Sequence, residues 1–130
     1  MDESDSAILI AEDNEDIREL VAMQLQRMGM HVLQAENGSR AIDLALSEHP
    51  ALVLMDMDMP VMSGFEAVER LRSEGFTGPI LAMTGYQEGP EAERALTSGC
   101  DGLVGKPICS DVLRAHVQRA LARAKREARA

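Results

Sequence analysis

The sequence predicts an α/β fold in which a parallel sheet is covered by helices on both faces. Three observations carry that expectation. Five short apolar runs alternate with five stretches whose apolar residues recur at three- and four-residue spacing, and such alternation of strand and helix builds parallel sheets. The central run, Leu-Val-Leu-Met at residues 52–55, is apolar at consecutive positions, so its strand is buried on both sides. At 130 residues the chain suits one domain, long enough to bury about two thirds of its unfolded surface in a single core.

Taken in order, residues 7–11 (Ala-Ile-Leu-Ile-Ala) form a first strand and run into an acidic loop, Glu12-Asp13-Asn14. From Glu15 the period changes. Ile17, Leu20, Val21, Leu25 and Met28 mark one face of an amphipathic helix that Gly29 closes. Residues 31–36 alternate well enough for a second strand, and Asn37-Gly38 turns into a helix carrying Ala41, Ile42, Leu44, Ala45 and Leu46. After Pro50 the central strand takes residues 51–56 and stops on Asp56. Residues 60–64 read as a loop, Ser63 and Glu66 offer a capping box, and a third helix runs on Phe65, Val68 and Leu71. Residues 80–83 make a fourth strand ending on Thr84, followed by a flexible loop over residues 85–89. Pro90 suits the first turn of a fourth helix, whose thin apolar face is Ala92, Ala95 and Leu96 and which Gly99 stops. So lightly anchored a helix is a candidate for motion. Residues 102–105 form a fifth strand leading to Lys106-Pro107, and residues 111–128 form a last helix facing inward through Val112, Leu113, His116, Val117 and Leu121.

Composition narrows the function. A hydrophobic fraction of 45% with 27% charged residues is ordinary for a globular protein, and no apolar stretch approaches the ~18 residues of a membrane span. The start, Met-Asp-Glu-Ser-Asp, is acidic where a signal peptide is basic, so a cytoplasmic protein is expected. A net charge of −9 argues against nucleic-acid binding, which needs a basic surface. The basic cluster Arg119, Arg123, Lys125, Arg126 and Arg129 reads as a solvated helix end suited to the C-terminal dipole, with a docking patch for an acidic partner as the other reading. Cys100 and Cys109 lack metal or redox spacing and read as reduced packing residues. His31, His49 and His116 show no metal spacing, and Met55, Met57, Met59 and Met62 read as packing and loop residues rather than copper ligands.

The chemistry gathers at the strand ends. Parallel strands place their carboxyl ends along one edge, where open α/β sheets bind ligands, and that edge collects Glu12, Asp13, Asp56, Asp58, Thr84 and Lys106. Asp13 or Thr84 alone could be a helix cap, and Lys106 alone a solvent residue. Their joint placement at successive strand ends favours a shared site. Packed carboxylates repel one another and raise each other's pKa values unless a cation is present. An oxygen-only ligand set points to Mg²⁺, with Mn²⁺ as an alternative. A hydroxyl and an ammonium beside it suit a phosphoryl group, which Asp56 could then accept by in-line attack as an aspartyl phosphate.

The order Glu-Asp after strand one, Asp-x-x-Met-Pro after strand three, Thr after strand four and Lys-Pro after strand five resembles the receiver domain of bacterial response regulators. Gly64 and Ala-Leu-Thr-Ser-Gly-Cys-Asp-Gly before Lys106 fit the same pattern. The resemblance implies a flavodoxin-like, three-layer (βα)5 fold with strand order 2-1-3-4-5, a single receiver domain over residues 1–130 with its core at about 7–121 and a basic helix end at 122–130. It implies that Asp56 accepts phosphate from a histidine kinase or a histidine phosphotransfer protein, and that Asp13 and Asp56 bind Mg²⁺ with Glu12 through water and the backbone carbonyl of Asp58. Thr84 and Lys106 would bind the phosphoryl oxygens. Phosphorylation would switch protein contacts on the face formed by the fourth helix, fifth strand and fifth helix. A monomer or weak dimer is expected, either standing alone or excised from a hybrid histidine kinase.

Two positions depart from the pattern. Three residues before the lysine the family commonly has Tyr or Phe, and here stands Leu103. Tyr86, two residues after Thr84, is the one tyrosine and the candidate to report or gate the site instead. Asp58 adds a negative charge within reach of a phosphorylated Asp56. Asp56-Met57-Asp58 also resembles the paired acids of haloacid-dehalogenase-like phosphatases, a rival reading in which the chain turns over phosphate esters. A third reading is a degenerate receiver that signals by binding alone.

Overall fold

The computed structural model describes residues 7–85 and 87–129. Five strands, β1 (Ala7–Ala11), β2 (His31–Ala35), β3 (Leu52–Asp56), β4 (Ile80–Thr84) and β5 (Gly102–Gly105), pair in parallel in the order β2-β1-β3-β4-β5. The helices are α1 (Glu15–Arg27), α2 (Gly38–Glu48), α3 (Gly64–Ser73), α4 (Pro90–Ser98) and α5 (Ser110–Arg129). This is the flavodoxin-like topology. The chain steps from β1 outward to β2 and then back across to β3, so the strand order reverses between β1 and β3, and the crevice at their carboxyl ends is the topological switch point.

Side chains alternate across the strands and split the core in two. Leu9, Val53, Met55, Ile80 and Ala82 pack with Ala41, Ile42, Phe65, Val68, Leu71 and Ala95, the inner faces of α2, α3 and α4. Ile8, Ile10, Leu52, Leu54, Met83 and Val104 pack with Val21, Leu25, Leu113 and Val117 of α1 and α5. None of the described helices is long and apolar enough to cross a membrane.

The helix starts are set by side-chain caps. Asn14 Oδ1 accepts the N–H of Ile17 at 3.0 Å, so Asn14 rather than Asp13 caps α1. Asn37 caps α2 through the N–H of Arg40, and Ser63 caps α3 through the N–H of Glu66 at 3.3 Å. Several apolar residues expected inside are exposed. Ile17 is 37% and Leu20 52% exposed on α1, leaving Val21, Ala22 and Leu25 as its buried face. Only residues 12–14 separate β1 from α1, so the first turn of the helix lies at the rim of the sheet with no strand beneath it. Val112, in the first turn of α5, is exposed for the same reason, and Leu96 points outward from α4 beside buried Ala92 and Ala95. Cys100 is buried as expected, and burial pushes its thiol up to about 12. Cys109 is exposed, because it precedes α5 in the loop after Lys106 and packs against no core.

Arg72 fastens the end of the molecule opposite the crevice. Its guanidinium donates to the carbonyls of Phe76 (2.8 Å), Gly78 (2.8 Å) and Gly99 (3.0 and 2.9 Å) and pairs with Asp101 at 3.0 Å. Asp101 in turn accepts the N–H of Ile80 at 2.8 Å, tying the starts of β4 and β5 together. Gly99, at φ 126°, suits this approach doubly: its backbone is left-handed, and a Cβ there would stand 2.7 Å from Arg72 Cγ. Replacing Arg72 by Ala strips several carbonyls of their donors and should cost about 2 to 4 kcal/mol. Arg70→Ala, which removes only an exposed helix pair to Glu74 at 3.7 Å, should cost about 0.5 kcal/mol or less. Urea midpoints of the two variants test this, and equal losses would show that Arg72 is no clamp.

Candidate functional site

Along the carboxyl edge, β1 delivers Glu12, β3 delivers Asp56, β4 delivers Thr84 and β5 delivers Lys106. Glu12, Asp56 and Thr84 are the buried polar residues among those described, at 1%, 1% and 3% exposure, while Asp13 is exposed. One carboxylate oxygen from each of Glu12, Asp13 and Asp56 lies within 4.8 Å of the others. Hydrogen bonds hold the acid turn from several sides. The N–H of Glu12 donates to the carbonyl of Ala35 at 3.1 Å, its own carbonyl accepts from Arg18 Nη1 at 2.9 Å, and its Oε2 accepts the N–H of Asn14 at 3.2 Å.

Lys106 reaches across from β5. Its backbone N–H donates to the carbonyl of Thr84 at 2.9 Å, and its Nζ donates to Asp56 Oδ1 at 2.6 Å. Nζ also stands 3.5 Å from Glu12 Oε1. Asp56 Oδ1 accepts a second bond, from the N–H of Asp58 at 3.1 Å, while the Asp58 side chain faces solvent. Thr84 sits one residue beyond Met83, the register partner of Asp56. The loop after β3 folds back tightly: the N–H of Gly64 donates to the carbonyl of Met57 at 3.2 Å, and a Cβ on Gly64 would stand 2.7 Å from Met57 Cα. Only glycine lets α3 begin this close to Asp56.

Electrostatics show a site short of positive charge. Burial, with the neighbouring Asp56 hydrogen bond and charge, pushes the Glu12 carboxyl up to about 7. Burial alone would lower the Lys106 ammonium, but the hydrogen bond and charge of Asp56, with Glu12 behind them, outweigh it and hold Lys106 above its ordinary value. Glu12 Oε1 is buried and has no hydrogen-bond partner among the described residues. Three carboxylates against one ammonium, all oxygen donors, with one buried oxygen held only by an ion pair to that same ammonium, fit a hard divalent cation such as Mg²⁺.

Fold and site together define a flavodoxin-like α/β protein with a carboxylate and lysine centre at its switch point. The chain belongs to the response regulator receiver domain family, whose model matches residues 8–118. It is 37% identical over 107 residues to the autoinducer 1 sensor kinase/phosphatase LuxN of Vibrio campbellii, covering 82% of this chain and 12% of LuxN. Among solved structures it resembles the chemotaxis protein CheY4 of Vibrio cholerae, at TM-score 0.84 and 29% identity over 88% of this chain and 98% of that one. It also resembles the receiver domain of the sensor histidine kinase PA1611 of Pseudomonas aeruginosa, whose active-site cleft coordinates a magnesium ion. That match has TM-score 0.83 and 27% identity and covers 90% of this chain and 98% of the other. The chain is thus a receiver domain of two-component signalling, homologous to those of hybrid histidine kinases.

The structure brings Glu12, Asp13, Asp56 and Lys106 together, with Thr84 buried on the neighbouring strand and the Asp58 backbone bonded to Asp56. Tyr86 lies outside the described residues. Leu103 is half-buried on β5 and packs against the α2, α3 and α4 side of the core. It also lines a groove of about 570 Å³ with His116, Arg119 and Arg123 of α5, which shares no residue with the acid centre. Sequence reading missed Arg18, because its contact with Glu12 is to a carbonyl, and a backbone acceptor leaves no mark in residue types. The dehalogenase-like reading gives way to the receiver family.

Removing the lysine alone leaves buried acids facing one another. Lys106→Met should destabilise the metal-free chain by about 2 to 3 kcal/mol, and by well under half of that in an Asp56→Asn background. Denaturant unfolding of the four proteins in EDTA measures the coupling, and additive losses would mean that Lys106 and Asp56 do not hold one another.

Proposed function

We propose that this chain is a phosphoacceptor: Asp56 takes a phosphoryl group from the phosphohistidine of a histidine kinase or histidine phosphotransfer protein in a Mg²⁺-dependent reaction. The observation that carries this reading is the buried Asp56 carboxylate held 2.6 Å from Lys106 and beside two further acids at the strand ends. Family membership and the magnesium-bound PA1611 relative add support.

In this reading a carboxylate oxygen of Asp56 attacks phosphorus in line. The new P–O bond forms as the donor's P–N bond breaks, and the imidazole nitrogen leaves with the electron pair. Asp13, Asp56 and the Asp58 carbonyl, with Glu12 through water, would hold Mg²⁺, which when bound supplies neutralising charge to the phosphoryl oxygens. Lys106, already bonded to Asp56, is in reach of a phosphoryl oxygen added there. Thr84 would donate its hydroxyl to another, and β4 would carry that movement toward α4, β5 and α5. The chain acts as a signalling domain, promoting only its own phosphorylation and dephosphorylation, in the cytoplasm and as a monomer or weak dimer. Residues 1–130 form one receiver domain, alone or as a piece of a longer hybrid kinase.

Incubated with phosphoramidate and Mg²⁺, the chain should gain one phosphoryl group by intact mass, and neither Asp56→Asn nor the EDTA-treated chain should gain any. Sustained hydrolysis of a phosphate ester, or labelling that survives in Asp56→Asn, would falsify the proposal.

Asp58 is exposed, so its charge acts through screened solvent. Asp58→Asn should raise the Mg²⁺ concentration for half-maximal phosphorylation by about threefold, by less as salt is added, and should change the phosphoryl lifetime. Identical metal titrations and decay rates in the two proteins would remove the Asp58 side chain from the site.

A further inference from the structure

Glu12 and Asp13 occupy a turn between a strand and a helix, yet the turn must hold two carboxylates beside a third that repels them. Its rigidity has an identifiable source. Arg18, one turn into α1, reaches back so that Nη1 donates to the carbonyl of Glu12 at 2.9 Å while Nε donates to Gln34 Oε1 on β2 at 3.3 Å. The guanidinium therefore bridges three elements: the end of β1, the start of α1 and the edge strand β2. On the other side of the same residue, the N–H of Glu12 is bonded to the carbonyl of Ala35, next to Gln34. The Glu12 backbone is thus gripped at both its N–H and its carbonyl, from β2 directly and from β2 through Arg18. The side chain that follows this grip is Asp13.

We propose that Arg18 and Gln34 are a positioning pair for the divalent-cation site, fixing the peptide between Glu12 and Asp13 so that both carboxylates stay aimed at Asp56. The inference rests on the Mg²⁺ reading above and assigns neither residue a contact with the ion. A planar guanidinium can hold two acceptors in a fixed fork, whereas an ammonium carries the same charge without that geometry. Arg18→Lys therefore separates position from charge. If the guanidinium only supplied positive charge, its loss would leave the acids more negative and draw a cation more strongly. A positioning role gives the opposite sign.

Mg²⁺ binding is measured by calorimetry, and Mn²⁺ binding by the loss of its free paramagnetic signal, both without phosphodonor. Relative to the native chain, Arg18→Ala and Arg18→Lys should each weaken binding by about tenfold. Gln34→Ala, on an exposed position of β2 and away from the acids, should weaken it by about two- to threefold. In the double variant Arg18→Ala/Gln34→Ala the glutamine change should add nothing. Hydrogen exchange at the Asn14 amide, bonded to Glu12 Oε2, should speed up in the metal-free Arg18→Lys and Gln34→Ala chains. Native affinity in Arg18→Lys, tighter binding in Arg18→Ala, or unchanged affinity and exchange in Gln34→Ala would overturn the pair. A native chain that binds neither ion would instead overturn the Mg²⁺ reading, and the positioning role with it.

Discussion

The bond from Lys106 to Asp56, 2.6 Å long and almost closed to solvent on the carboxylate side, is the constraint to which the rest of the molecule answers. It joins the ends of two strands that are not neighbours, with β4 between them. The span therefore depends on parallel pairing in register, Asp56 with Met83 and Thr84 with Gly105. A buried ion pair is a poor source of stability, because both partners lose water. This one is also incomplete: Glu12 and Asp13 bring two more carboxylates to the same place, and Glu12 Oε1, 3.5 Å from the shared ammonium, has no hydrogen bond among the described residues. The folded chain thus gathers more acid groups than cations at one point. Hydrophobic packing elsewhere offsets that cost, and a divalent cation held by the cluster would relieve it.

That packing is divided unevenly. β1, β3 and β4 are buried along their whole length, and α1 and α5 close one face while α2 and α3 close most of the other. α4 is the exception. It buries only Ala92 and Ala95, and its further ties are Arg94, whose guanidinium lies 4.1 Å over the ring of Phe65, and an exposed 3.4 Å hydrogen bond from the Ser98 hydroxyl to Glu69 of α3. Two alanines, a cation–π contact worth about 0.5 to 2 kcal/mol and one exposed hydrogen bond hold it far more weakly than Val68 and Leu71 hold α3. Phe65 follows Gly64, the residue that lets α3 start against the Asp56 backbone. The least anchored helix is thereby attached, through one ring, to the loop beside the acid centre.

Strand ends were legible in the sequence because period and chemistry change at the same residues. The apolar run at 52–55 could stop only at Asp56, and the apolar runs before Glu12, Thr84 and Lys106 stop in the same way. What period cannot report is the rim. Ile17 and Val112 fall on the apolar stripe and are exposed because the sheet ends before the helix does. Nor can residue type choose between adjacent caps: Asp13 and Asn14 are both good N-caps, and the structure uses Asn14, which leaves Asp13 for the cluster. The largest omissions are the arginines. Arg18 meets Gln34 across 16 residues and Arg72 meets Gly99 across 27, and their acceptors are mostly backbone carbonyls. Such bonds become visible only once the fold has brought the two segments together.

Leu103 shows how one substitution narrows the ways in which the fold can respond. A ring at this point of β5 could move between solvent and interior as a rigid body, exchanging a large apolar area between the two. Leucine is smaller, and here it is half-buried, packed on the α2, α3 and α4 side of the core and lining the groove beside α5. No comparable volume can be transferred by turning it. A change at Thr84 would therefore have to reach the α4, β5 and α5 face by displacement of backbone. The element least opposed to such a displacement is α4, whose start at Gly89 lacks a side-chain cap and which is the least firmly packed helix of the five.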